Sequence, residues 1–234
     1  MHVPDGFLDA PTSAATGAFA AVCVGTALVR ARKELDDKTA PMAGLVAAFV
    51  FAVQMLNFPV GVGTSGHLMG GALAAVLVGP WTAVLCMSVV FLVQCLFFAD
   101  GGITALGTNI TLMGLTTVAV GYLVFKLMQA VLPKRLSLVP LQAGVGAFVS
   151  VPVAAFLFVA LYAVGGATHL DLDKLATAMV GVHVLIGIGE GVITFLAVSA
   201  ILAVRPDLVY GARPVLERRE LEIRTTASET EAAA

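Results

Sequence analysis

HLMGGALAAVLVGPWTAVLCMSVVFLVQCLFF, residues 67–98, holds no Asp, Glu, Lys or Arg, and whether it forms one helix or two decides the architecture of the whole chain. The step Gly79-Pro80-Trp81 reads either as a kink in one long helix or as the junction of two. Taken alone, residues 67–79 reach only about 20 Å at roughly 1.5 Å per residue, short of a hydrocarbon core of about 30 Å. Charge decides between the readings. With two separate segments there are seven spans, and an outside N-terminus then puts 12 of the 13 Lys and Arg on the cytoplasmic side, with only Lys174 outside. One merged span leaves 5 inside and 8 outside, which reverses the positive-inside bias.

The rest of the chain fits a membrane bundle. Of 234 residues, 59% are apolar and 12% charged, against about 25% charged in soluble domains, and mean hydropathy is +0.98. Around the opening stretch, which splits into residues 67–79 and 81–98, run five more apolar segments at 12–29, 41–57, 108–132, 140–164 and 176–204. Strict alternation of apolar and polar residues is absent, which excludes a β-barrel reading. The expected fold is therefore an all-α integral membrane protein, a seven-transmembrane-helix bundle with its N-terminus outside and its C-terminus cytoplasmic. Residues 1–204 form the membrane domain, and 205–234 a polar cytoplasmic tail expected to be disordered.

No positive n-region precedes the first apolar run, so the N-terminus is expected to stay on the mature protein with Met1 kept. Cys23, Cys86 and Cys95 sit singly within spans, without CxxC spacing, and read as packing residues. There is no GxxxxGK[ST], so ATP-driven transport would need a separate ATPase, and no HExxH to support an intramembrane hydrolase.

Polar chemistry collects at the expected outer face, where His2, His67, His169 and His183 all fall. A histidine in second position offers an α-amine, an amide nitrogen and an imidazole Nδ1 to one ion, a set suited to Ni(II), Cu(II) or Co(II), although it is equally what a frayed terminus looks like. His67 ends the loop Val60-Gly61-Val62-Gly63-Thr64-Ser65-Gly66 and is expected to start the third helix, where it would supply a fourth nitrogen. Pro4-Asp5-Gly6 is a turn signature that can fold the terminus inward, with Phe7-Leu8 as an apolar anchor and Thr12 or Ser13 as helix cap.

In the last span, His183 and Glu190 stand seven residues apart and share a helix face. A carboxylate near mid-membrane must be paired or protonated. Glu190 reads either as a group below a metal site or as an interhelical hydrogen-bond partner of Gln54, Asn57, Gln94 or Asn109, packed through Gly187, Gly189 and Gly191.

Met1 to Phe7, Gly63-Thr64-Ser65-Gly66-His67-Leu68-Met69-Gly70-Gly71, Gly107-Thr108-Asn109-Ile110 and His183 to Gly191 together resemble the cobalt/nickel substrate-binding S component (CbiM/NikM family) of energy-coupling factor transporters, along the whole chain except the tail. Val3 and Phe7 stand where Ile and Tyr are commoner. The resemblance implies that Met1 supplies its amine, His2 its amide nitrogen and imidazole, and His67 the fourth nitrogen around Ni(II) or Co(II), which is the transported substrate. Ser65, Asn109, His183 and Glu190 become orienting or gating candidates. The implied partners are a transmembrane coupling subunit, two cytoplasmic ATPases and a small accessory membrane subunit, all at a bacterial inner membrane. The chain itself would not be an enzyme. A different class, a proton- or ion-coupled carrier using His183 and Glu190 without ATPases, is the alternative.

Overall fold

The structure, a computed structural model, describes residues 1–35, 39–61 and 64–221. It is mostly helical. Among the described residues, five helical stretches are long and apolar enough to cross a membrane: Ala10–Lys33, Pro80–Phe98, Leu106–Val131, Leu136–Gly165 and Leu172–Val204. The shorter apolar helix α2 (Thr39–Gln54) follows α1 (Ala10–Arg30), and a two-stranded hairpin, β1 (Phe58–Gly61) and β2 (Thr64–Gly66), comes next. Then come α3 (Gly71–Val78), α4 (Pro80–Phe98), the short α5 (Leu106–Asn109), a π-turn (Ile110–Leu115), α6 (Thr116–Val131), α7 (Val139–Gly165) and α8 (Leu172–Val204).

Two helices do form around Gly79. Its N–H closes α3 on the Ala75 carbonyl, Pro80 opens α4, and α3 lies against α4, α6 and α7. Gly79 has φ +94°, and a Cβ there would stand 2.6 Å from Cδ of Glu34. Both facts require glycine. The Glu34 carboxylate accepts from Trp81 N–H (3.3 Å), Thr82 N–H (2.7 Å) and the Thr82 hydroxyl (3.0 Å), so an acid placed just after α1 caps the first turn of α4. Replacing Glu34 by Ala should lower stability by about 2–4 kcal/mol, since three donors lose a charged acceptor. Thermal unfolding in detergent measures this, and a melting temperature within a degree of wild type would contradict the cap.

α3 departs from expectation at its start. The helix begins at Gly71, four residues past His67, and all eight of its residues are buried. The cause is distant in sequence: Glu190 on α8 takes the N–H groups of Met69 (2.5 Å) and Gly70 (2.9 Å), and Gly70 sits at φ +80°. That also corrects the expected side-chain partners of Glu190, which are main-chain amides. Gly187 and Gly191 do mediate close packing, because a Cβ on either would stand within about 3 Å of the Phe148 or Gly144 carbonyl of α7. Gly189 meets nothing.

Two further ends differ. α1 is capped one turn early, by Asp9 accepting from Thr12 N–H at 2.9 Å with Pro11 in the first turn, and not by Thr12 or Ser13. Residues 206–221 of the expected tail are folded: turns at Pro206–Leu208 and Tyr210–Ala212 lead into a helix at 213–221, and Val209 and Ala212 are fully buried. Apolar residues at 209, 212 and 215 give the segment a face to bury, and residues 222–234 lie outside the described residues.

Candidate metal site at the amino terminus

The first nine residues are strapped into the bundle. Met1 and Val3 are each 1% exposed, which a frayed end would not be. Asn109, the last residue of α5 before the π-turn, holds Val3 on both sides: Oδ1 accepts Val3 N–H at 2.7 Å, and Nδ2 donates to the Val3 carbonyl at 3.1 Å. Gly102 N–H adds a second donor to that carbonyl at 2.9 Å. The turn forms as its residues suggest, with Gly6 at φ +77° and Phe7 N–H reaching the Pro4 carbonyl at 3.3 Å. Asp5 accepts from Ile103 and Thr104 amides and from the Thr104 hydroxyl. Phe7 packs against Phe158 (5.4 Å) and Tyr162 (5.1 Å), which contributes about 1.5–3 kcal/mol of anchoring.

Folding inward brings His2 onto His67. The rings stack with centroids 4.7 Å apart and an interplanar angle of 27°, and Phe91 meets His2 edge-on. His67 Nδ1 lies 2.8 Å from the Leu68 carbonyl, which can only accept, so Nδ1 carries the proton and Nε2 keeps its lone pair. That Nε2 is buried and has no hydrogen-bond partner among the described residues. His2 leaves Nδ1 in the same condition: Asp100 Oδ1 is 3.0 Å away but outside hydrogen-bonding alignment. His183 borders the site, its Cε1 3.2 Å from where a Cβ on Gly66 would stand, and its Nδ1 is 2.7 Å from the Met179 carbonyl. His183 and Glu190 are thus each bonded to main chain. His169 is exposed and takes no part, and Ser65 lies in β2 opposite Pro59.

Burial pushes the Met1 ammonium from 8.0 down to about 5, with the Asp100 charge opposing, so the amine is neutral and able to donate at pH 7. Burial of Asp100 raises its carboxyl, but the close approach of His2, the charge of the amine and a hydrogen bond from Asn57 outweigh this and hold it below the usual range. A cation on His2 Nδ1 would therefore sit beside a carboxylate. Among the described residues no three His, Cys, Asp or Glu side chains are spaced to hold a metal ion. Two imidazoles reach four nitrogens only if the amine and the His2 amide are counted.

Sequence reading named the imidazoles but missed Asp100, and it took Gln54 and Gln94 for partners of Glu190. Instead His2 Nε2 lies 3.1 Å from Gln94 Oε1, and Gln94 Nε2 donates to Gln54 Oε1 at 2.9 Å. Lone glutamines in apolar spans were the available signal.

Comparison with known proteins bears on this geometry. A family model described as the cobalt uptake substrate-specific transmembrane region matches residues 2–208. A Haloquadratum walsbyi protein provisionally named a metal transport protein is 38% identical over 210 residues, covering 90% of this chain and 94% of the relative. An Archaeoglobus fulgidus protein provisionally named a fused nickel transport protein, NikMN, is 38% identical over 211 residues, covering 89% of this chain and 68% of that one. The crystal structure of a truncated transition metal transporter superposes with a TM-score of 0.80 at 30% identity, over 87% of this chain and 99% of the other.

Proposed function

Because the chain belongs to the CbiM family of cobalt uptake substrate-specific transmembrane regions, and is thus a multi-pass cobalt/nickel uptake protein and not an enzyme, we propose that it is the ion-capturing subunit of an energy-coupling factor importer. It binds Ni(II) or Co(II) at the outer face of a bacterial inner membrane, in a seven-segment topology with the N-terminus outside. The ligands are the Met1 amine, the deprotonated His2 amide, His2 Nδ1 and His67 Nε2, a four-nitrogen planar set of the kind Ni(II) favours. The observation that carries this reading is the buried, unpartnered Nε2 of His67 stacked on the His2 ring at the buried terminus. Fusion of a second component in the NikMN relative supports a partnered assembly, here with a transmembrane coupling subunit, two ATPases and an accessory membrane subunit.

Vesicles test the assembly. Uptake of nickel or cobalt should require the coupling subunit, the ATPases and ATP, and uptake by the chain alone on a proton gradient would overturn the importer reading. In detergent, His2→Ala and His67→Ala should each weaken nickel or cobalt binding by more than about 100-fold, beyond what loss of an outer hydrogen bond costs.

The pH dependence has a definite sign. The amine has already lost its proton above about pH 5, so near neutrality the proton displaced by the ion comes mainly from the His2 amide. Affinity should fall by about tenfold per unit as pH drops from 8, and faster below pH 5, where the amine takes up a proton. Titrations from pH 4 to 8 measure both slopes, and a flat profile above pH 5 would exclude a deprotonated amide ligand.

A further inference from the structure

A lone pair on His2 Nδ1 requires, in a neutral imidazole, that the proton sit on Nε2. A run of amides dictates that placement. The Met69 carbonyl can only accept, so the Gln54 nitrogen 2.6 Å away is its donor, and this fixes the Gln54 amide. Gln54 Oε1 then accepts from Gln94 Nε2 at 2.9 Å, which turns Gln94 Oε1 toward His2 Nε2 at 3.1 Å. An oxygen without hydrogen at that point makes His2 Nε2 the donor, and the competing acceptor at the other nitrogen, Asp100 Oδ1 at 3.0 Å from Nδ1, lies outside hydrogen-bonding alignment and does not claim the proton. Flipping either amide would set donor against donor or acceptor against acceptor where both side chains are fully buried.

The origin of the run is itself held. Glu190 accepts from the Met69 and Gly70 amides, and the Leu68 carbonyl accepts from His67 Nδ1. Residues 68–70 therefore set the proton positions of both imidazoles.

We propose that Gln54 and Gln94 are positioning residues: anchored on the Met69 carbonyl, they hold the His2 imidazole in the Nε2–H tautomer, whose Nδ1 lone pair faces the metal ion. This rests on the chelate reading above but is tested without metal. In the full chain labelled with 15N-histidine, metal-free and at alkaline pH, His2 should be protonated on Nε2 alone. Gln94→Met, and equally Gln54→Met, should give mixed His2 tautomers while the His67 and His183 ring signals stay in place. Nickel affinity should fall about 10–100-fold in each, and the double variant should be no worse than Gln94→Met, since nothing remains to transmit. The unmoved His67 and His183 signals separate loss of positioning from misfolding.

A wild-type His2 protonated on Nδ1, an unchanged tautomer in both methionine variants, or additive losses would each overturn the proposal. Blocking the amine leaves the His2 tautomer untouched under this proposal. Metal binding by the blocked chain would therefore overturn the chelate reading alone.

Discussion

A chain carrying one extra residue ahead of Met1 should show no measurable nickel or cobalt binding while still folding, with an unfolding temperature only a few degrees below wild type. The extension turns a neutral amine into an amide, a far weaker donor, and it has nowhere to go, because Met1 is 1% exposed and Val3 is held from both sides by Asn109. The anchors further along are unaffected: Asp5 on the Ile103 and Thr104 amides, Phe7 between Phe158 and Tyr162, and the main-chain bonds from Asp9 to Gly165 and from Ala167 to Phe7. Folding and binding should therefore separate. Acetylation of Met1 makes the same test with less bulk, removing one donor of four, and should likewise cost more than about 100-fold. Wild-type affinity in the acetylated chain would remove the amine from the ligand set.

How much of this was legible in the sequence depended on how local the cause was. The turn at Pro4-Asp5-Gly6 was readable because proline and glycine set their own backbone angles. The break at Gly79-Pro80 was readable through the distribution of Lys and Arg, though the acid that seals it, Glu34, lies 45 residues earlier. The start of α3 was not readable: residues 67–70 are apolar and glycine-rich like the helix that follows, and only a carboxylate 120 residues on, at Glu190, draws the Met69 and Gly70 amides out of the helical ladder. The candidate site divides in the same way. His2 and His67 announce themselves by residue type, whereas Asp100, Gln54 and Gln94 matter for where their oxygens point, which residue type does not encode. The π-turn at Ile110–Leu115 is another such case, a widened turn directly after Asn109 that no hydrophobic period marks.

Asn109→Leu should lower metal affinity by about 10–100-fold while leaving the stoichiometry at one ion per chain. Leucine nearly matches asparagine in size but removes both contacts with Val3, so the buried Val3 N–H loses its acceptor and only Gly102 remains on the Val3 carbonyl. An unsatisfied buried amide costs about 1–3 kcal/mol, and the chain can relieve it by letting residues 1–3 lift from the site. Every lifted conformer carries the amine and the His2 ring away from His67, so binding must first draw the terminus back, and the apparent affinity falls by the fraction that is in place. All four nitrogens are still present, which is why the site should saturate at the same stoichiometry, in contrast to His67→Ala. Asn109→Asp should also bind more weakly than wild type: its carboxylate still accepts Val3 N–H, but its other oxygen faces the Val3 carbonyl acceptor against acceptor. Equal affinities for wild type and Asn109→Leu in a nickel titration would mean that the terminus needs no clamp at Val3, and that stacking of His2 on His67 holds it unaided.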